Sequence, residues 1–402
     1  MNIRKRISYL RIAVVLSAAL SLSCDLTKPD QVADPVFTPP AGNYGQGQQI
    51  SISCATSGAE IHYTLDGSTP SKSYTVYTGP FQVPLYATVK AVAIKDGMKD
   101  SKVRSARYLP FPPYLDGSCS TPNDAFGIAV SGNYAYVADY AWGLQIINIG
   151  DPANPFIIGS CDTPGTTFGV AVSGSQAFIA GGETGLHAIN IADPANPILT
   201  GSCDTPHHAS GVAVSGNHAY VADGESGLQI IDLSDPANPI ITGSCDTPVF
   251  AFAISVLGNY AYVADDHSGL QIINVSDPAN PFIAGSCDTP GNARGIAVSG
   301  SYAYVGDGGA GLQIINISDP ANPFFTGFCD TPDYAQGLAV SGNHAYVADD
   351  DSGLQVIDIS DPANPVITSS CDTPGQALGI AVSGNRAYVA DMESGLQIVA
   401  LE

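Results

Sequence analysis

Beyond residue 110 the chain is written in short apolar runs separated by turn residues, and the pattern recurs with a fixed period. One period shows the scheme. Gly211-Val212-Ala213-Val214 stops at Ser215-Gly216-Asn217, and His218-Ala219-Tyr220-Val221-Ala222 stops at Asp223-Gly224-Glu225-Ser226-Gly227. Leu228 to Leu233 runs into Asp235-Pro236-Ala237-Asn238-Pro239, after which Ile240 to Ser244 leads to Cys245. Runs this short, bounded by Gly, Asn, Asp and Pro, predict strands, and no segment sustains a helical period. Two prolines in the third connection exclude helix there and predict a rigid turn. The small residues of the first run suit an innermost strand, where radial sheets crowd together.

Seven cysteines, at 119, 161, 203, 245, 287, 329 and 371, each lie 42 residues after the last. A period of roughly 40–45 residues marks a propeller with one four-stranded sheet per repeat. The first three runs occur seven times each, the fourth only six, because the chain stops at Glu402 after a third strand. The missing strand has a candidate upstream of the first full repeat: Tyr114-Leu115-Asp116-Gly117-Ser118-Cys119 carries the fourth-strand ending alone. Paired beside the last blade, it closes the ring and removes an open sheet edge. The expectation is an all-β chain whose residues 110–402 form a seven-bladed β-propeller with N-terminal strand closure. An open solenoid is the alternative, and the orphan strand argues against it.

The segments Gly-Ile-Ala-Val-Ser-Gly-Asn, Tyr-Val-Ala-Asp, Leu-Gln-Ile-Ile-Asn (or Asp) and Ser-Asp-Pro-Ala-Asn-Pro resemble the LVIVD repeat family over about residues 112–402. The resemblance implies a propeller in a bacterial or archaeal cell-surface protein with no assigned catalytic activity. It implies no ligand.

Residues 36–109 read differently. Gln49–Cys54 and Glu60–Thr64 alternate as strands, Asp66-Gly67-Ser68-Thr69-Pro70 turns, and strands follow at Ala87–Ala93 and near Val103–Leu109. Short strands over some seventy residues predict a small β-sandwich. Ile61-His62-Tyr63-Thr64-Leu65-Asp66-Gly67-Ser68-Thr69-Pro70 and Val89-Lys90-Ala91-Val92-Ala93 resemble the C-terminal domain of chitobiases and β-hexosaminidases. In those enzymes the module carries no catalytic residues, so sugar chemistry is not inherited; a spacer is preferred to glycan binding. Pro110-Phe111-Pro112-Pro113 reads as a stiff joint.

At the other end, Arg4, Lys5, Arg6 and Arg11 precede an apolar run from Ile12 to Leu22, too short to span a bilayer but right for a signal-peptide core. Ser21-Leu22-Ser23-Cys24 resembles a bacterial lipoprotein signal, although Ser21 stands where that family prefers Leu. The reading is a signal peptide over 1–23, lipidation at Cys24 and a polar tether over 24–35. Stable membrane attachment needs more than one acyl chain, as the lipoprotein resemblance implies. The expected location is the bacterial cell envelope, or secretion if simple cleavage replaces lipidation.

Charge narrows the partners. Residues 1–110 hold 12 of the 14 Lys and Arg and 7 of the 37 Asp and Glu, leaving 111–402 with two basic residues, Arg294 and Arg386, against 30 acidic ones. Such a surface cannot neutralise a phosphate backbone, so nucleic acid is excluded as a partner. Disulfides between equivalent cysteines are excluded on geometry: at a radius of roughly 12 Å neighbouring blades hold them about 10 Å apart, beyond the ~7 Å limit. Seven unpaired, mostly buried thiols are expected. No cofactor or metal set emerges. Paired zinc ligands are absent, and Asp349-Asp350-Asp351 lacks the spaced oxygens of a calcium loop. Aspartates 139, 223, 265, 307, 349 and 391, replaced by Gly181 in the second repeat, read as turn holders. No nucleophile with base and orienting group stands apart from the repeats, so no catalytic residue is assigned.

Comparison of the repeats with each other shows where they are free to differ. Ser-Gly-Asn and Asp-Pro-Ala-Asn-Pro barely change. The connection after Asp-Thr-Pro varies, giving Asp124, His207-His208, Val249-Phe250 and Asp333-Tyr334. The residue leading into the first strand varies as Phe126, Phe168, Ser210, Phe252, Arg294, Gln336 and Leu378. The second-to-third-strand loop gives Tyr140-Ala141-Trp142, Asp266-His267 and Asp350-Asp351. Strands alternate in direction, so both variable connections open on one face. The candidate binding residues are Asp124, Phe126, Tyr140, Trp142, His207, His208, Phe250, Phe252, His267, Arg294, Tyr334 and Gln336. Aromatics on loops of a rigid frame suit recognition. The functional expectation is a non-catalytic binding or adhesion scaffold for a protein or glycan at the cell surface. An exported propeller enzyme, a hydrolase or lyase acting on a glycan at the channel mouth, is the alternative.

Overall fold

The computed structural model describes residues 31–44, 48–84, 87–109 and 112–401. The expected signal peptide, Cys24 and the tether up to residue 30 lie outside the described residues. The chain divides after Pro110 into two compact units, each taken by itself.

The first unit is a β-sandwich. One sheet joins Val36–Thr38, Gln49–Ser53 and Phe81–Gln82; the other joins Gly42–Asn43, Arg104–Leu109, Thr88–Ile94, Glu60–Thr64 and Thr75–Val76 in that order. The alternation of Gln49–Ser53 sends Ile50 and Ile52 inward against Val89, Ala91 and Tyr108. Tyr108 is wholly enclosed, and its hydroxyl donates to the Pro39 carbonyl at 2.9 Å. Burial, helped by the neighbouring Tyr44 phenol, pushes its phenol up to about 12.

The second unit is the seven-bladed propeller. Six sheets take their four antiparallel strands in sequence order, beginning with Gly127–Ser131, Tyr134–Ala138, Leu144–Asn148 and Phe156–Cys161. The seventh pairs Gly379–Ser383, Arg386–Ala390 and Leu396–Ala400 with Tyr114–Cys119, in the register Leu396 to Cys119 and Ala400 to Tyr114. The orphan strand thus closes the ring as its sequence predicts.

Glycine leads into the first strand in six of the seven blades, Ala253 taking the place in the fourth, and the reason is steric. A Cβ on Gly127 would stand 2.3 Å from the Phe168 carbonyl oxygen of the next blade, so backbones meet there. Core layers lie between blades. Leu228 and Ile230 of the third blade pack on Val263 and Ile273 of the fourth, all fully enclosed. Each third-to-fourth-strand ladder carries a β-bulge, for example at Ile230/Ile231. The threonine at that bulge turns its hydroxyl onto a third-strand carbonyl: Thr242 to Ile230 at 3.1 Å, and Thr200 to Ala188 at 3.0 Å.

One expectation is corrected. All seven propeller cysteines are unpaired, but only Cys161 and Cys371 are buried, and the other five are half-buried. They end the outermost strand, where only one neighbouring blade covers them. Even so, partial burial raises every one of these thiols, Cys371 to about 11.

Candidate ligand-binding mouth of the propeller

The two variable connections meet. In each blade the residue after the conserved aspartate adopts a left-handed backbone and exchanges hydrogen bonds with the next blade's approach segment. Thr167 N–H donates to Tyr140 at 2.8 Å and Ala209 to Gly182 at 2.9 Å, and Ala125 donates to Met392 at 3.0 Å across the closure. Glycine holds this place in three blades. Tyr140, Asp266, Asp350 and Met392 hold it at φ of 38°, 45°, 45° and 39°. Non-glycine residues avoid that region, and such strain concentrates at functional sites.

Beneath these bridges the repeated aspartate acts as a clamp, as its recurrence predicts. Asp223 is fully enclosed; its Oδ1 accepts from Thr205 Oγ1 at 2.6 Å and its Oδ2 from His207 N–H at 3.1 Å. Asp265, Asp307 and Asp391 repeat both bonds. Burial raises these carboxyls above the usual range, partly offset by their donors. In the blades that carry the aspartate the variable loop springs from a fixed base; the second blade has Gly181 there.

The approach residues form a collar around a cavity of about 530 Å3 at the channel mouth. Phe126, Phe168, Ser210, Phe252, Arg294, Gln336 and Leu378 supply one side chain per blade, with His208 and Phe250 behind them. Below the collar lies a ring of Ile128, Val170, Val212, Ile254, Ile296, Leu338 and Ile380. The collar is lopsided. Ring contacts run unbroken from Phe126 to Phe168 (5.1 Å between centroids), on to His208 (4.7 Å) and Phe250 (6.3 Å), and then to Phe252 (4.5 Å). The Arg294 guanidinium ends the chain, 3.7 Å above the Phe252 ring. His208 Nδ1 is 3.0 Å from Ser210 Oγ, and burial lowers its basicity, so it is neutral near pH 7.

Of the twelve residues picked from sequence, Phe126, His208, Phe250, Phe252, Arg294 and Gln336 line this cavity. Tyr140 joins the ring chain through Phe126 at 5.5 Å, and His207 through Phe250 at 5.9 Å. Asp124, Trp142, His267 and Tyr334 lie outside the lining. Trp142 is half exposed, and Tyr334 packs over Gly308. Phe168, left out of the candidate set, sits between Phe126 and His208. Its position in the repeat was the signal that could have placed it. Among the described residues no group of three or more metal-ligating side chains converges.

Seven successive segments, 122–163, 164–205, 206–247, 251–289, 290–331, 332–373 and 374–400, match the LVIVD repeat. Residues 39–105 match the chitobiase/β-hexosaminidase C-terminal domain. This is a repeat protein with a carbohydrate-related domain. An "Ulvan-active sulfatase" of Formosa agariphila is 39% identical over 70 residues, which are 17% of this chain and 12% of that protein. The chain therefore spans a small part of that relative. Among solved structures, a chain of a mitotic checkpoint complex superimposes with a TM-score of 0.61 at 12% identity, covering 73% of this chain and 96% of its own. U3-55K gives 0.59 at 8% identity, over 70% and 96%. The computationally designed Ika8 protein gives 0.55 at 9% identity, over 71% and 100%. At such identities the likeness is one of fold alone.

Proposed function

We propose, from the premise that this chain belongs to the LVIVD repeat family, that it is a non-catalytic binding protein of the bacterial cell envelope. In this reading a lipid at Cys24 holds it there, and its ligand sits at the propeller mouth. One observation carries the reading: the approach residue, which differs from repeat to repeat, lines a single cavity in every blade, while the Ser-Gly-Asn and Asp-Pro-Ala-Asn-Pro connections barely change. Ligand sites are typically concave, mostly apolar and held on a rigid frame, as this one is.

A glycan is favoured over a protein as the ligand. Residues 39–105 match a kind of domain that accompanies sugar-cleaving enzymes, and the sulfatase that matches 70 residues of the chain is named as ulvan-active. Aromatic faces beside Ser210, Gln336 and His208 offer stacking together with hydrogen bonds. A hydrolase or lyase at the same mouth would need an acid or base. Of the lining side chains only His208 could serve, through its Nε2, and no carboxylate lines the cavity to partner it.

The test is a glycan-array screen of the full chain beside a Phe126→Ala, Phe168→Ala, Phe252→Ala variant. Binding that the variant loses while its melting stays cooperative supports the reading. Binding that survives the triple change, or an array on which the native chain finds nothing, sinks it.

A further inference from the structure

The residues from 111 onward carry 30 carboxylates and two arginines, yet no carboxylate lines the cavity and its one charged side chain is Arg294. The other arginine is committed elsewhere, with Nε and Nη2 on Asp116 at 3.0 and 2.9 Å. Arg294 is held differently. Its Nε donor is shut off from solvent with no partner. The nearest carboxylate, Asp266, stands 3.8 Å from Nη2, beyond hydrogen-bond reach, and its Oδ1 already accepts from Asn292 at 2.6 Å. The rest of the side chain is 31% exposed and lines the cavity, so the outer guanidinium nitrogens are the ones a ligand can meet. The Phe252 face beneath fixes the guanidinium plane, so its fork is pre-organised for an anion.

We propose that the mouth takes a saccharide unit carrying a single anionic substituent, carboxylate or sulfate, with that group on Arg294 and the sugar ring against the Phe126–Phe168 wall. This rests on the glycan reading above and deepens it. The single charge follows from the surroundings: one guanidinium satisfies one anion, whereas Glu183, Glu225, Asp333 and Asp351 on the same loops would repel a chain charged at every unit. Gln336, next to Arg294 around the ring, lines the same side of the mouth with a neutral amide that also bonds the Asp350 carboxylate.

Glucuronate, its methyl ester, glucose 6-sulfate, glucose and benzoate are titrated against the full chain and against Arg294→Gln, with binding read by ligand-observed NMR. A charge-assisted bond to arginine predicts a roughly 10- to 100-fold preference for glucuronate or glucose 6-sulfate over the ester and glucose. The tighter of the two names the anion. Arg294→Gln should erase the preference, so that acid and ester bind within about threefold of each other. Acid and ester binding alike, or a preference that survives Arg294→Gln, overturns the assignment and leaves the mouth a sugar site. Benzoate binding more tightly than every sugar overturns the saccharide itself. Failure of every sugar to bind overturns both readings.

Discussion

Ring closure hangs on a pair found in one blade only. Asp116 stands at the bulge of the closing strand, where other blades place Thr200, Thr242 or Thr368, and Arg386 stands where they place Tyr, Gln or His. The two meet through two N–H donors on one carboxylate oxygen, at 3.0 and 2.9 Å, across 270 residues of sequence. Asp116 is 6% exposed and Arg386 29%. Removing one partner of a buried pair costs about 3–5 kcal/mol because the other charge is stranded. Water reaches this arginine, so Arg386→Ala should cost about 2–3 kcal/mol, the buried figure discounted for screening. For a unit this size that lowers melting by roughly 4–8 °C. Asp116→Thr alone should cost less, because a neutral bulge residue strands only the better-solvated arginine. Asp116→Thr with Arg386→His copies the pair Thr242 and His218 of the third blade, where the threonine hydroxyl reaches a third-strand carbonyl, and should return to within about 1 kcal/mol of native stability. Urea denaturation of the four proteins gives the coupling energy. Singles that melt like the native chain, or a double variant as weak as Arg386→Ala, would refute the reasoning, since either result means the pair does not lock the closure.

Three further outcomes follow from the same geometry. In the second blade Gly181 replaces the clamp aspartate and His187 the usual glutamine; a Cβ at 181 would lie 2.6 Å from that imidazole, and Thr163 Oγ1 is left buried without a partner. Gly181→Asp alone should therefore cost about 1–3 kcal/mol through overpacking, while Gly181→Asp with His187→Gln rebuilds the neighbours' network and at least restores stability in a denaturation cycle. The clamp carboxyls, raised by burial, favour the folded state most when protonated, so their contribution grows as pH falls through their folded values and is complete below 3.8. His187 and His208, lowered by burial, oppose this from 6.5 downward, but six carboxyls outnumber two imidazoles. The urea midpoint at pH 4.5 should exceed that at pH 7.5, and a steady fall would contradict the assignment. The propeller thiols should resist iodoacetamide at pH 8 until denaturant is added, Cys161 and Cys371 longest; rapid labelling of the native chain would show that burial does not suppress the thiolate.

The fold was legible because its rules are local and were stated seven times. A glycine at the crowded axis, an aspartate at the loop base and a lone fourth strand upstream each have one structural solution in a ring, and the structure adopts it. The site was legible only in outline. Variation among repeats marks the face, since a ligand that breaks the sevenfold pattern must be met by residues that break it too. It does not mark depth. Trp142 and Phe168 are equally variable in sequence, yet the first stands half exposed on the outer loop while the second fills the collar. What separates them is register: the residue two before the first strand's second position always faces the channel, and the mid-loop residue does not.

The same register shows why the mouth is chemically one-sided although its frame is symmetric. Each blade delivers one collar side chain from an equivalent backbone position, so the frame contributes equal geometry and the side chain contributes all the difference. Leu378, Phe126, Phe168 and Phe252 give apolar faces, while Ser210, Arg294 and Gln336 put a hydroxyl, a guanidinium and an amide between and beyond them. A rigid ring cannot adapt its shape to a ligand by moving one blade, because every blade is bridged to the next at this level. Selectivity at such a mouth must therefore be written in side-chain chemistry, and Arg294, the one charged side chain of the lining, is where that chemistry is most exacting.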